Sequence, residues 1–217
     1  MKKQMNNLEQ KARIEEWKDA CLWRLNNDYD VVNVFTGPEG VGKSTLSYLL
    51  ASLLDENFSA EGRTAFGTSE VINISENLEP GDFVEMDEGV EGLFNRDAMR
   101  KENKNWQKWM IICRQKNLGV HICFPRFQSL DLYMRQFRVW TWFHVKERGE
   151  AWIRVRDWNH SPENDAPDFY QSYPVVARIE YPSVEEFAEN RDYINIEDWK
   201  KKQEKKAEYI QEFSQDS

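Results

Sequence analysis

The nine residues Gly37-Pro38-Glu39-Gly40-Val41-Gly42-Lys43-Ser44-Thr45 constrain this chain more than any other stretch. They satisfy the pattern GxxxxGK[ST]. They also lie between a short β-rich run, Val31 to Thr36, and a segment from Ser44 to Leu54 with apolar residues at helical spacing. Glycines at 37, 40 and 42 let the backbone curl so that successive amide N–H groups face phosphate oxygens, and the helix that follows adds its N-terminal dipole. In such a loop Lys43 reaches the β- and γ-phosphates of ATP, and the Ser44 hydroxyl ligates Mg²⁺. A glycine-rich turn that merely caps a helix is the plain alternative, and the strand–loop–helix context speaks against it.

A phosphate loop needs an acidic partner for its metal. Asp82-Phe83-Val84-Glu85-Met86-Asp87-Glu88-Gly89 is a β-like run ending in two adjacent carboxylates, a Walker B pattern. Asp87 would hold Mg²⁺, and Glu88 at the strand end would polarise the water that attacks the γ-phosphate. Glu85 is out of place in a strand buried on both faces. An acidic turn after an edge strand is the other reading of this run. The adjacent acidic pair favours hydrolysis over transfer to an acceptor, since a kinase must keep water out. No Asn-Lys-x-Asp sequence for reading guanine is present; Asn103-Lys104-Asn105-Trp106 lacks the acidic residue.

The rest of the chain is consistent with an α/β fold. Thr64 to Thr68, Asp82 to Asp87, Val120 to Phe124 and Val139 to Val145 read as further strands, separated by segments long enough for crossovers, which predicts a mainly parallel sheet flanked by helices. Asp97 to Arg114 reads as a long helix and Ser129 to Phe137 as a shorter one. A charged turn at Glu147-Arg148-Gly149 between two β-rich runs predicts a hairpin. Residues 1–28 form an expected amphipathic helix, 29–157 the ATPase core with the hairpin, and 158–217 an irregular stretch to residue 182 followed by a helical extension from Ser183 to about Phe213.

Composition narrows the function classes. The chain has 217 residues with 29 Lys and Arg against 38 Asp and Glu, a net charge of −9, so nothing global draws it to nucleic acid or to an anionic membrane. Its 3 cysteines, Cys21, Cys113 and Cys123, show no CxxC spacing, which argues against a disulfide framework or structural zinc and fits a reducing cytoplasm. No apolar run approaches the roughly 18 residues that span a bilayer.

The layout resembles P-loop ATPases of the zonular occludens toxin-like type, in the FtsK and HerA division. The residues that carry the resemblance lie between about 30 and 146: the phosphate loop, Asp87-Glu88, Asn95-Arg96-Asp97, Arg114-Gln115-Lys116-Asn117, His121-Ile122-Cys123-Phe124, and Leu130-Asp131 with Arg135. The resemblance implies an additional-strand sheet and a motor that moves DNA in the packaging, export or conjugation of phages, archaeal viruses or plasmids. It also implies a homo-oligomeric ring completed by an arginine from the next subunit, and a viral or mobile-element partner protein. Arg96, Arg100, Arg114, Arg126, Arg135 and Arg138 are the candidates for that arginine, with Arg114 and Arg135 favoured by their places before and after the fourth strand. In that division a polar residue commonly ends the fourth strand and senses the γ-phosphate; here the stretch reads Cys123-Phe124-Pro125-Arg126. His121 would serve only in another register, and otherwise packs in the strand.

Two basic stretches are candidate DNA contacts. Lys101, Lys104 and Lys108 interleave with Trp106 and Trp109 on one expected helix, which suits either phosphate and base contact or a helix burying its tryptophans. The run Lys200 to Lys206 suits a phosphate backbone or a solvated helix face. Trp140 and Trp142 alternate and are expected on one face of the core. Two other functions share the phosphate loop: a small-molecule kinase, which would need an acceptor pocket and lid, and a switch in which ATP orders Asn95 to Lys104 for a partner. A membrane-tethered export motor is disfavoured, since the sequence offers no anchor.

Overall fold

The computed structural model describes residues 2–87, 96–130, 132–156, 173–189 and 194–215, with side chains for 13–87, 105–130, 132–156, 173–189 and 194–211. The helix α1 (Lys2–Asn26) leads into β1 (Val31–Thr36), the phosphate loop and α2 (Lys43–Leu54). Then come α3 (Ala60–Arg63), β2 (Thr64–Ala65), α4 (Thr68–Glu76), β3 (Phe83–Asp87), α5 (Arg96–Gln115), β4 (Gly119–Phe124) and β5 (Thr141–Glu147). The chain goes on through β6 (Glu150–Val155), β7 (Val175–Glu180), α6 (Val184–Ala188) and α7 (Ile196–Gln215).

The strands form one seven-stranded sheet in the order β2-β3-β4-β1-β5-β6-β7. The first five are parallel, and β6 and β7 extend the sheet antiparallel. Strand β4 lies between the phosphate-loop strand β1 and the acidic strand β3, which is the additional-strand form of the P-loop fold and bears out the expected architecture. The crossovers divide the helices between two layers. On one side α4 and α5 cover Val32, Val34, Val84, Met86, Val120 and Ile122; on the other α1 and α2 cover Val31, Phe35, Phe83, Phe143 and Val145. Alternation along each strand therefore feeds two cores, and β1, β3 and β4 are buried along their whole length.

Several details differ from the sequence reading. The second strand is only Thr64–Ala65, because Thr68 already begins α4, a helix that Ser75, Asn77 and the short apolar spacing concealed. The expected helix from Ser129 to Phe137 is a 3₁₀ turn at Phe127–Ser129 and a π-helical turn at Met134–Arg138, while Asp131 lies outside the described residues. Residues 158–182 are not irregular throughout, since β7 pairs with β6 as an edge strand; its exposed valines, Val175 and Val176, hid it among polar neighbours. The final stretch is two helices, α6 opened by a capping box of Ser183 and Glu186, and α7. Trp140 precedes β5, so it packs with the α1–α2 core while Trp142 enters the α4–α5 core; the two do not share a face. Among the described residues no helix is long and apolar enough to cross a membrane.

Candidate functional site

The phosphate loop leaves the C-terminal end of β1 and ends in α2, whose N-cap is Gly42 in the left-handed region at φ 97°. At Gly37, φ is 147°, and a Cβ there would stand 2.3 Å from the Val145 carbonyl oxygen, so only glycine lets the loop pass this close to β5. Pro38, Glu39 and Gly40 are exposed, Val41, Gly42, Ser44 and Thr45 half-buried, and Lys43 buried. The Lys43 ammonium donates to the carbonyls of Gly37 at 3.0 Å and Pro38 at 2.8 Å, which holds it under the loop.

Asp87 ends β3, one strand removed, and the intervening β4 sets the gap so that the two motifs meet. The Ser44 hydroxyl donates to Asp87 Oδ1 at 2.8 Å. Mg²⁺ in phosphate sites typically takes one or two protein oxygens and completes its shell with water and phosphate, and Ser44 with Asp87 offers such a pair of hard oxygen donors. The residues present fit that metal. Glu88, the expected base, lies outside the described residues.

Helix α7 supplies two cations to this carboxylate that the sequence reading did not place there. The Lys202 ammonium stands 2.6 Å from Glu85 Oε2 and 3.4 Å from Asp87 Oδ2, and all three side chains are 0% exposed. The Lys206 ammonium lies 3.2 Å from the Ser44 hydroxyl and 3.4 Å from each Asp87 oxygen. Burial pushes the Asp87 pKa up, but Lys202, Lys206 and the Ser44 hydroxyl outweigh it and hold the carboxyl below its usual value. Burial likewise pulls Lys202 down, and Glu85 and Asp87 more than reverse it. Glu85, the residue out of place in a buried strand, is thus the partner of a lysine 117 positions later.

The lysine run is therefore not a plain solvated face. Lys200 pairs with Glu197, Lys201 with Glu61, and Lys205 with Glu70, while Lys202 and Lys206 turn inward. The sequence does carry a signal for this: Trp199, Lys202, Lys206 and Tyr209 follow a spacing of three, four and three, one helix face with lysines where apolar residues belong. Trp199 stacks on Tyr48 at 4.9 Å and Tyr209 on Phe66 at 5.5 Å, which seats that face on the protein.

The hairpin and β7 finish the rim. The Arg148 Nε–H donates to the Gly40 carbonyl at 3.0 Å, and the Tyr181 hydroxyl points at the Gly42 carbonyl at 3.3 Å. A cavity of about 520 Å³ opens between Gly40 and Gly42 to Thr45 of the loop, the segment Tyr181 to Glu186, and Trp199, Gln203 and Lys206 of α7.

The structure brings neither favoured arginine to this chain's phosphate loop. Arg114 is tied to the Asp28 carbonyl at 2.6 Å and to Asn117, beside the residues that enter β1, whereas the loop leaves the other end of that strand. Arg135 is half-buried in the π-helical turn, where Tyr173 donates to its carbonyl at 2.9 Å. Arg138 pairs with Asp30, Arg126 is exposed, and the side chains of Arg96 and Arg100 lie outside the described residues. His121 is a packed strand histidine at mid-strand, opposite Glu85 and Asn33. Its Nε2 accepts from the Asn33 amide at 3.1 Å and its Nδ1 faces the Ser47 carbonyl at 3.1 Å; burial pushes its pKa down to about 3. Trp106 and Trp109 are buried, Trp109 donating to the Ser75 hydroxyl at 2.9 Å, so neither offers an indole to a nucleic-acid base. Lys108 pairs with Glu76 on the surface, and the side chains of Lys101 and Lys104 lie outside the described residues.

No protein-family model matches this sequence, and no curated protein matches it. Among solved structures the chain is similar to the FIGL-1 AAA domain in complex with ADP, at 18% identity over 57% of this chain and 47% of that one, with a TM-score of 0.40. It is also similar to the N-terminal domain of zonular occludens toxin from Neisseria meningitidis, at 12% identity over 74% of this chain and 98% of that one, again with a TM-score of 0.40. The chain spans about half the length of the first and nearly all of the second. The P-loop architecture rests on the strand order and the loop geometry rather than on these likenesses.

Proposed function

We propose that this chain binds ATP with Mg²⁺ and hydrolyses it, and that it does so as a homo-oligomeric ring that moves DNA for a virus or mobile element. The observation that carries the ATPase reading is the 2.8 Å hydrogen bond between Ser44 and Asp87, which joins the two halves of a metal-phosphate site across an intervening strand. Lys43 and the loop amides from Gly37 to Thr45 hold the phosphates, while Ser44 and Asp87 hold the metal. Mg²⁺ bound there would draw charge from the phosphate oxygens as the bond breaks. Glu88 orients water and takes its proton, and an arginine of a neighbouring subunit, Arg114 or Arg135, neutralises the transferring phosphoryl group. DNA movement, the ring and the viral setting are supported by the resemblance of the motifs, and the net charge of −9 places any DNA contact in a local patch.

ATP turnover by the purified protein over a concentration series, with and without duplex and single-stranded DNA, tests this directly. Glu88→Gln is expected to keep ATP binding and lose about 100-fold or more in turnover; unchanged turnover would remove the assigned base. Turnover per chain that rises with protein concentration and with DNA supports the assembled motor. One observation favours a second reading, a nucleotide-dependent switch with slow turnover: two lysines of α7 already engage Asp87. Low turnover indifferent to DNA and to concentration selects that version.

A further inference from the structure

The Lys206 ammonium is in contact with both oxygen donors that fit the metal, the Ser44 hydroxyl at 3.2 Å and the Asp87 carboxylate at 3.4 Å. Its side chain is 16% exposed and lines the same cavity as the phosphate loop. Lys202 meets the other side of the same carboxylate from the buried interior, so Lys206 is not needed to keep Asp87 paired. The helix that carries it is fixed from its first turn. The Asp198 carboxylate accepts from the Ser59 hydroxyl and the Glu61 amide, both at 2.9 Å, and thereby caps α3. A flexible four-carbon stem on an anchored helix thus presents a positive charge at the metal-facing side of the phosphate loop.

We propose that Lys206 is a nucleotide-phosphate ligand that stands in for the divalent cation: it lets this chain bind a nucleoside triphosphate without metal, and Mg²⁺ enters the site only by displacing it. The proposal rests on the reading of this cavity as a nucleotide site. An ammonium and a metal ion cannot share one position between Ser44 and Asp87, so each weakens the other's hold there. Both also neutralise the phosphates, so either one supports nucleotide binding. In effect the site has two cation states. A built-in one is held by α7, and a divalent one frees Lys206 to turn toward the phosphates or the cavity.

Calorimetric binding of a non-hydrolysable ATP analogue, measured in EDTA and across a Mg²⁺ series, separates this from a structural role. In EDTA, Lys206→Met is expected to weaken binding about tenfold, while the Mg²⁺ concentration that gives half-maximal binding falls about tenfold. Lys206→Arg keeps the charge and retains binding in EDTA. Lys206→Gln keeps a polar contact to Ser44 without the charge, and behaves like the methionine variant. Thermal melts confirm that each variant is folded. Equal weakening in EDTA and in Mg²⁺, or no change in either, overturns the role of Lys206. Absence of analogue binding by the wild-type chain under every condition overturns the nucleotide reading itself, and the inference with it.

Discussion

The two faces of the sheet are built from the same strands and do different work. Toward α4 and α5 the strands present Val32, Val34, Val84, Met86, Val120 and Ile122, an apolar layer whose stabilisation scales with area removed from water. Toward α1, α2 and α7, one row of the five parallel strands reads Thr64, Glu85, His121, Asn33 and Thr141 from edge to interior, and every one of these side chains is buried. Each has a polar partner: Thr64 on Glu85, Lys202 on Glu85, Ser47 and Asn33 on His121, and the Trp17 indole on Thr141. An apolar layer tolerates changes that conserve volume, whereas a buried polar row tolerates almost none, because each lost partner leaves a desolvated group behind. The nucleotide site is attached to the intolerant face.

Removing one member of the buried ion pair is the hardest test of that contrast. Lys202→Met leaves Glu85 buried with its carboxylate uncompensated, and is expected to cost about 3–5 kcal/mol in urea unfolding. The double variant Lys202→Met with Glu85→Leu should recover most of that loss, since a buried pair replaced by apolar residues is often neutral. Failure of the double variant to recover would mean that Asp87 also depends on Lys202.

Acid should strike the polar face next. His121 is held neutral when folded, its pKa pushed down to about 3 from 6.5, so the unfolded chain binds the extra proton between those values. The stability this contributes is fully present above pH 6.5 and drains away as pH falls towards 3, at about 1.4 kcal/mol per pH unit. Between pH 6.5 and 4.5 the wild type should lose about 2–3 kcal/mol that His121→Gln does not. Asp87, held below its ordinary 3.8, adds its own loss only as pH drops below that value. Equal acid sensitivity in both chains would place the effect elsewhere.

The smallest effect belongs to the apolar face. Trp109→Phe removes the bond to Ser75 and trims the buried indole to a phenyl, for about 1–2 kcal/mol in the same urea assay. A loss as large as that of Lys202→Met would erase the distinction between the faces.

The phosphate loop, β1, α2 and Asp87 were legible because their signals are local: each motif sits within one strand and the turn that follows it. Helix α5 was legible for a similar reason, as one long helical stretch, whereas α4 beside it was concealed. The cations at Asp87 were not, because no local rule links Glu85 to a lysine 117 residues away, and a run of lysines normally marks a solvated surface. The same distance explains the doubt over Glu85, whose environment is set by α7 and not by its own strand. The edge strand β7 escaped because a strand with exposed valines leaves no periodicity to read, and the second strand was read too long because its two residues run straight into α4. Arginines were ambiguous for the opposite reason: they are spread along the middle of the chain, and sequence separation does not tell which end of the sheet each one occupies.

The span between Glu85 and Lys202 also sets an order of events during synthesis. Ser75 and Trp109, which tie α4 to α5, are 34 residues apart, so that contact can form soon after α5 emerges, and the layer fills in as β4, β5 and Tyr173 follow, all of them ahead of α7. Glu85 waits for a lysine 117 residues downstream, about 6–23 s later at ribosomal speeds of roughly 5–20 residues per second. Until then its carboxylate has no ammonium to meet and stays in water, keeping that side of β3 ajar. A nascent chain would therefore carry a finished apolar layer and an open nucleotide face, and the arrival of α7 would be the step that seals it.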